Sequence, residues 1–171
     1  MPPSSKRTSA KGSLVSSVRR LGTLYGPTPS LAPTDPFQLL IWEYVAYLAD
    51  DQDRAAAFRR LEALVGLDPD ALAIAPRATL EAICRSGGAI AVNTRADRIH
   101  DVAARVRDKF DGTLKGVLRL PYGEARRMLR TFPSIGPPGA DKILLLTGTE
   151  AVLALDSNAL RVLQRLGYGF E

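Results

Sequence analysis

The 171-residue chain has a single cysteine, Cys84, and a single histidine, His100. A lone thiol excludes an intrachain disulfide and any cysteine-based metal cluster built from this chain alone. Within an apolar helical stretch, Cys84 reads as core. His100 lies between Ile99 and Asp101 with no second ligand close in sequence, so it reads as a partly exposed helix residue and no metal site is expected. Long apolar runs are missing too. None approaches the ~20 residues needed to span a bilayer, and the opening MPPSSKRTSAKG lacks the apolar middle of a secretory signal. The expectation is a soluble, cytoplasmic protein with no membrane partner. Acid is absent before Asp35, whereas Lys6, Arg7, Lys11, Arg19 and Arg20 all precede it. The net charge of +5 thus resides in that arm. Such an arm suits a polyanion, or serves as a solubilising tail.

What is present supports one core, since 46% of the residues are hydrophobic. No segment shows the strict alternation of a half-buried strand, with only Ala151 to Leu155 ambiguous, so the class is all-α without internal repeats. Residues 1–12, rich in Ser, Lys, Pro and Gly, read as a disordered basic tail. Residues 13–34 read as a helix to residue 25 and a Pro-rich loop. Residues 35–171 read as the helical domain. Asp35-Pro36 has the form of an N-cap followed by Pro at the first helical position, opening PFQLLIWEYVAYLA, apolar nearly all round. Asp51 to Val65 is amphipathic, with Arg54, Arg59 and Arg60 on its polar side. Further helices are expected over Pro76 to Arg85, Thr94 to Phe110, Thr113 to Leu118 and from Pro121 onwards, with Gly87-Gly88 dividing the first two.

The most informative segment joins PYGEARRMLRTF, PSIGPPG and ADKILLLTG, then continues through AVLAL to DSNALRVLQRLG. Two helices joined by so tight a Gly-containing link form a hairpin. Amide groups at the start of its second helix can meet a phosphate, because a helix start leaves donors unpaired and carries partial positive charge. Ser134, Ile135, Gly136, Pro137 and Gly139 are the expected DNA-contacting residues there, with Lys142 and Asn158 beside them.

FPSIGPPGA resembles the L-P-G-hydrophobic-G-x-x-T-A hairpin of the endonuclease III superfamily, and LDSNALRVLQRLG resembles its catalytic helix. The spacing between the two also fits, and the resemblance extends over roughly residues 13–171. It implies a helix-hairpin-helix DNA glycosylase of base excision repair, acting as a monomer on double-stranded DNA with a damaged or mismatched base. In a bacterium the protein would be nucleoid-associated. The resemblance makes Asp156 the carboxylate that stabilises the oxocarbenium-like sugar as the base departs. Taken by itself, Asp156 is an N-cap, and the two roles are compatible. Asn158 matches the asparagine of the adenine- and mismatch-directed branches. Arg161 and Arg165, four apart on one helix face, are candidates for phosphate or, more commonly, for structural salt bridges.

Three departures bear on mechanism. Pro138 stands where bifunctional relatives carry the lysine that attacks the sugar, so a water-using glycosylase is expected. Lys142, one turn further on, leaves a glycosylase/abasic lyase as the alternative. Ser134 replaces the first hairpin glycine. Leu48 stands where relatives carry a glutamine that fills the gap left by the flipped base. A second carboxylate, Glu43, lies inside LLIWEYVAYL. An apolar setting raises a carboxyl pKa, as a general acid requires, and the resemblance places Glu43 on the base-removal glutamate of those same branches. The competing reading of Glu43 is a wet helix edge or an ion pair with an arginine. Many relatives continue into a four-cysteine iron–sulfur loop, for which residues 1–171 supply no ligands, so no cofactor is expected in this chain. Exposed apolar surface is expected on the helix at 13–25. A non-catalytic hairpin DNA-binding module is the remaining alternative.

Overall fold

A computed structural model of the chain describes residues 14–27 and 30–168. The tail expected over 1–12 lies outside the described residues. Every regular element among those described is helical: α1 Leu14–Tyr25, α2 Pro36–Val45, α3 Asp51–Leu64, α4 Pro69–Ile74, α5 Arg77–Ser86, α6 Val92–Lys109, a 3-10 turn Val117–Arg119, α7 Tyr122–Leu129, α8 Pro137–Leu146 and α9 Ser157–Arg165. No helix among these residues is long and apolar enough to cross a membrane. Residues 151–155 form no regular element.

The chain divides into two compact units, one of residues 31–154 and one of residues 1–30 with 155–171. This differs from the boundaries read from sequence, which kept 35–171 together. Locally, the backbone N–H of Leu14 donates to the Tyr168 hydroxyl at 2.9 Å, tying the two ends of the smaller unit to each other. Neither α1 nor α9 contains a fully buried residue, and Val15, Val18, Leu21 and Leu24 of α1 are exposed, in keeping with the apolar surface expected there.

In the larger unit α2 forms the centre, with Phe37, Leu39, Leu40, Ile41, Trp42, Tyr44 and Val45 buried. It packs against α3, α5, α6 and α8, while α6 also covers α4 and α5, and α7 lies on α8. Cys84 is fully buried, as its setting suggested. The start of α2 follows from its first residues. The Asp35 carboxylate accepts from the N–H groups of Phe37 (2.9 Å) and Gln38 (3.1 Å), and Pro36 begins the helix where its missing N–H costs nothing. Asp68-Pro69 repeats the device and opens α4, an element missed in the sequence although the signal is the same.

α2 ends at Val45, four residues before the apolar run does. Two arginines take its terminal carbonyls. Arg54, read from sequence as a surface residue, turns inward and donates to the oxygens of Trp42 (2.8 Å) and Ala46 (3.2 Å). Arg95 is 2% exposed and donates to Val45 O (2.8 Å), Cys84 O (2.7 Å), Gly87 O (3.3 Å), Ile90 O (3.0 Å) and Gly88 O. Burial lowers its pKa, but the carbonyl oxygens substitute for water around the guanidinium. Arg95 thereby joins the end of α2, the end of α5 and the Gly87-Gly88 turn. Gly87 is required there, because a Cβ would sit 2.4 Å from Val45 O.

Candidate active site

Three features hold the hairpin between α7 and α8. The Tyr44 hydroxyl donates to Pro133 O at 2.6 Å, and burial pushes that hydroxyl well above its ordinary pKa. Arg105 of α6 donates to the Thr131 carbonyl (2.7 Å) and lies over the Phe132 ring. Between the arms, Asp141 receives a two-pronged bond from Arg126 (2.7 and 3.1 Å) and another from the Tyr122 hydroxyl (3.0 Å). Tyr122 has a raised pKa chiefly because its proton is shared with that carboxylate. The loop is thus fixed from α2, α6 and its own arms.

Within this frame, Ser134 has φ of 60°, in the left-handed region where glycine is favoured. The backbone is therefore that of the glycine turn, with a serine accommodating it. Ile135 is buried, and its N–H is taken by Phe132 O at 3.2 Å, which removes it from the expected phosphate-facing set. Pro137 and Pro138 occupy the first two positions of α8 and carry no N–H. The amides of Gly136 and Gly139 remain as donors at this end. The backbone N–H of Ser134 likewise has no acceptor among the described residues.

Lys142 does not stand alone. Its Nζ is 2.6 Å from Glu43 Oε1, an ion pair between α8 and α2. Glu43 is consequently neither dry nor unpaired, as an unaided apolar helix would have left it, and its partner is a lysine rather than an arginine. Its Oε2 takes no hydrogen bond among the described residues. Glu43 also lines a cavity of 470 Å³ together with Tyr47, Ala91, Arg95, Arg98 and Ser134. Helix α2, the start of α6 and the hairpin loop therefore converge on one concave site. A larger hollow of 540 Å³ near Lys115 and Arg119, and a smaller one near Asp35, include no residue of the hairpin loop.

Tyr47, Ala91, Arg95 and Arg98 were missed in the sequence. Arg95 had a signal, since it interrupts the buried face of α6 between Val92 and Ala96. The others are brought in by backbone turns that composition does not show: Leu48 and Ala91 both have φ of 51°. Leu48, at the expected gap-filling position, is 77% exposed.

Asp156 caps α9. Its Oδ1 accepts from the N–H groups of Asn158 (3.0 Å) and Ala159 (2.7 Å), while Oδ2 has no hydrogen bond among the described residues. Capping thus leaves one oxygen of an exposed carboxylate available. Asn158 accepts from Arg161 through its side chain. Neither Arg161 nor Arg165 forms an ion pair among the described residues, contrary to the salt-bridge reading. A four-thiolate cluster does not fit this chain, whose one thiol is sealed in the core and pushed by burial up to about 11.

No family model and no curated protein matches the chain. Solved structures do. A non-covalent endonuclease III–DNA complex superposes with a TM-score of 0.72 at 22% identity, covering 94% of this chain and 70% of that one. A trapped endonuclease III–DNA covalent intermediate, an estranged-adenine complex, gives 0.71 at 22% identity with the same coverage. The chain has the endonuclease III fold.

Proposed function

We propose that this endonuclease III-fold chain is a DNA N-glycosylase of base excision repair, hydrolysing the bond between deoxyribose and a damaged or mismatched base. The observation that carries this reading is the convergence of Glu43, the hairpin residue Ser134 and the start of α6 on one cavity. On this reading the cavity receives the extruded base, the hairpin amides of Gly136 and Gly139 hold a backbone phosphate, and Glu43, ion-paired with Lys142, accepts a proton from the attacking water. Asp156 stabilises the positive charge that develops on the sugar. Extrusion costs a few kcal/mol and is easiest for a mismatched or damaged pair, which favours such substrates.

Hydrolysis is favoured over lyase action by two features. Pro138 offers no amine, and the Lys142 amine is engaged as a donor to Glu43, so it is not presented to a sugar carbon. Single-turnover base release on a panel of lesion and mismatch duplexes tests the proposal. Release by the wild type and its loss in Asp156→Asn are expected. Binding without release on every duplex would instead make the chain a non-catalytic DNA-binding module.

A further inference from the structure

Among the described residues, Arg98 is the one cation lining the cavity that forms neither a hydrogen bond nor an ion pair, its titratable neighbour being the Tyr44 hydroxyl. Arg95 is saturated by five carbonyls, and the Glu43 carboxylate is matched by Lys142. Arg98 lies half-buried one turn along α6 from Arg95 and makes no hydrogen bond or ion pair among the described residues. A guanidinium carries only donors, in a planar fork, and cannot adapt by accepting. Once a ligand seals the cavity from water, each of those donors that faces it needs an acceptor.

From this we infer that Arg98 makes the cavity selective for keto bases, those presenting a ring carbonyl beside an imino N–H, such as uracil, thymine or hypoxanthine, over adenine. The inference rests on the cavity being the base site. A carbonyl oxygen has two lone pairs and can receive both prongs of the fork, and hypoxanthine adds the neighbouring N7 acceptor. The adjoining imino N–H is a donor, which the unoccupied Glu43 Oε2 can accept. Adenine presents an amino group where the carbonyl would be, and its N–H bonds oppose the donors of Arg98. The adjacent ring nitrogen has one lone pair and satisfies one prong only. The same geometry explains why arginine reads guanine edges whereas adenine is read by asparagine or glutamine. The exposed ring of Tyr47 on the same wall supplies a stacking face, which discriminates little among bases.

Equilibrium binding to duplexes carrying non-cleavable 2′-fluoro nucleotides isolates recognition from chemistry. Uracil opposite guanine and adenine opposite guanine are the two probes, measured with the full chain and with Arg98→Met and Arg98→Lys. A preference of ~10-fold or more for the uracil duplex is expected in the wild type, the range of one good base contact. It should fall to near parity in Arg98→Met and be at least partly lost in Arg98→Lys, which keeps the charge but not the fork. Thermal unfolding of each variant checks that it folds, and Arg98→Lys carries the test if the methionine variant does not. No wild-type preference for uracil, or a preference untouched in both variants, overturns the inference. Equal weakening of both duplexes, with a salt dependence reduced by about one phosphate, also overturns it, because Arg98 would then contact the backbone. Base release on the corresponding cleavable duplexes separates the two claims. Uracil-selective binding without release defeats the glycosylase reading alone, whereas efficient release of adenine defeats the keto preference alone.

Discussion

Lys142 Nζ and Glu43 Oε1 meet at 2.6 Å, although 99 residues separate them in the chain. The pair places an amine beside the carboxylate of the candidate site and engages the amine and one carboxylate oxygen, leaving Oε2 open. A nucleophilic lysine must present a free amine to the sugar carbon, which a salt-bridged one does not. Borohydride reduction on an abasic duplex should therefore yield no covalent adduct, with wild type and Lys142→Ala alike. An adduct that disappears in Lys142→Ala would make the protein a lyase. Glu43→Gln should lower single-turnover base release by about 100-fold or more, the usual contribution of a positioned acid or base. Full activity in that variant would remove Glu43 from the chemistry.

Arg95 carries a structural prediction of a different size. Removing its guanidinium takes a donor from five carbonyl oxygens at the junction of α2, α5 and the Gly87-Gly88 turn, of which Gly87 O keeps the Tyr47 N–H and Cys84 O keeps the Gly87 N–H. Arg95→Met should lose about 3 kcal/mol or more, as when one partner of a buried charged network is deleted. Arg95→Lys should rescue only part of it, because an ammonium cannot span the same oxygens. Urea unfolding at unchanged slope measures both, and a loss below about 1 kcal/mol for Arg95→Met would show that water replaces the guanidinium.

These two residues also show what could be read from the chain. Helix starts were legible where local chemistry fixes them, as at Asp35-Pro36, because the cap, the proline and the apolar run act within a few residues. The same holds for the Asp156 cap. Helix α2 could not be ended correctly from sequence, since what stops it is Arg95 from 50 residues away. Glu43 was recognisable as an anomaly in an apolar helix, but its partner lies on α8. The hairpin was legible as a pattern, with Ser134 flagged as a replaced glycine, whereas the loss of Ile135 as a phosphate donor depends on a backbone bond to Phe132. Tyr47 and Arg98 were invisible as site residues, because a cavity wall assembled from three elements leaves no periodic trace.

Two backbone positions give opposite predictions for glycine. At Ser134 the left-handed conformation costs a non-glycine residue ~1–2 kcal/mol, and glycine gives back ~0.4–1 kcal/mol through greater freedom of the unfolded chain. Ser134→Gly should accordingly stabilise the protein by about 0.5 kcal/mol. At Gly87 a new Cβ would stand 2.4 Å from Val45 O and 2.8 Å from the Ala46 Cβ. Gly87→Ala should destabilise by about 1–3 kcal/mol, the range for forcing an atom into a packed site. The urea midpoint should move up in the first variant and down in the second. A rise in both would mean that the turn readjusts freely.

Alkaline pH should weaken the fold well before the chain's arginines begin to titrate. Burial raises the Cys84 thiol from 9.0 to about 11, with Glu81 adding to the shift and Arg95 opposing it. Tyr44 is raised above its ordinary 10.0 by burial as well. In both cases the unfolded chain releases its proton at a lower pH than the folded chain does. Between pH 9 and 11 the native state holds more protons than the unfolded state, so stability falls as pH rises. The stabilisation linked to Cys84 is complete below pH 9 and is lost as pH rises through 11, at up to ~1.4 kcal/mol per pH unit, about 2–3 kcal/mol in all. Urea midpoints of wild type and Cys84→Ala across pH 8 to 11 measure it. The wild-type curve should descend more steeply than that of the variant, whose remaining slope reports Tyr44 and the other alkaline groups. Parallel curves would show that the thiol ionises without unfolding the core around it.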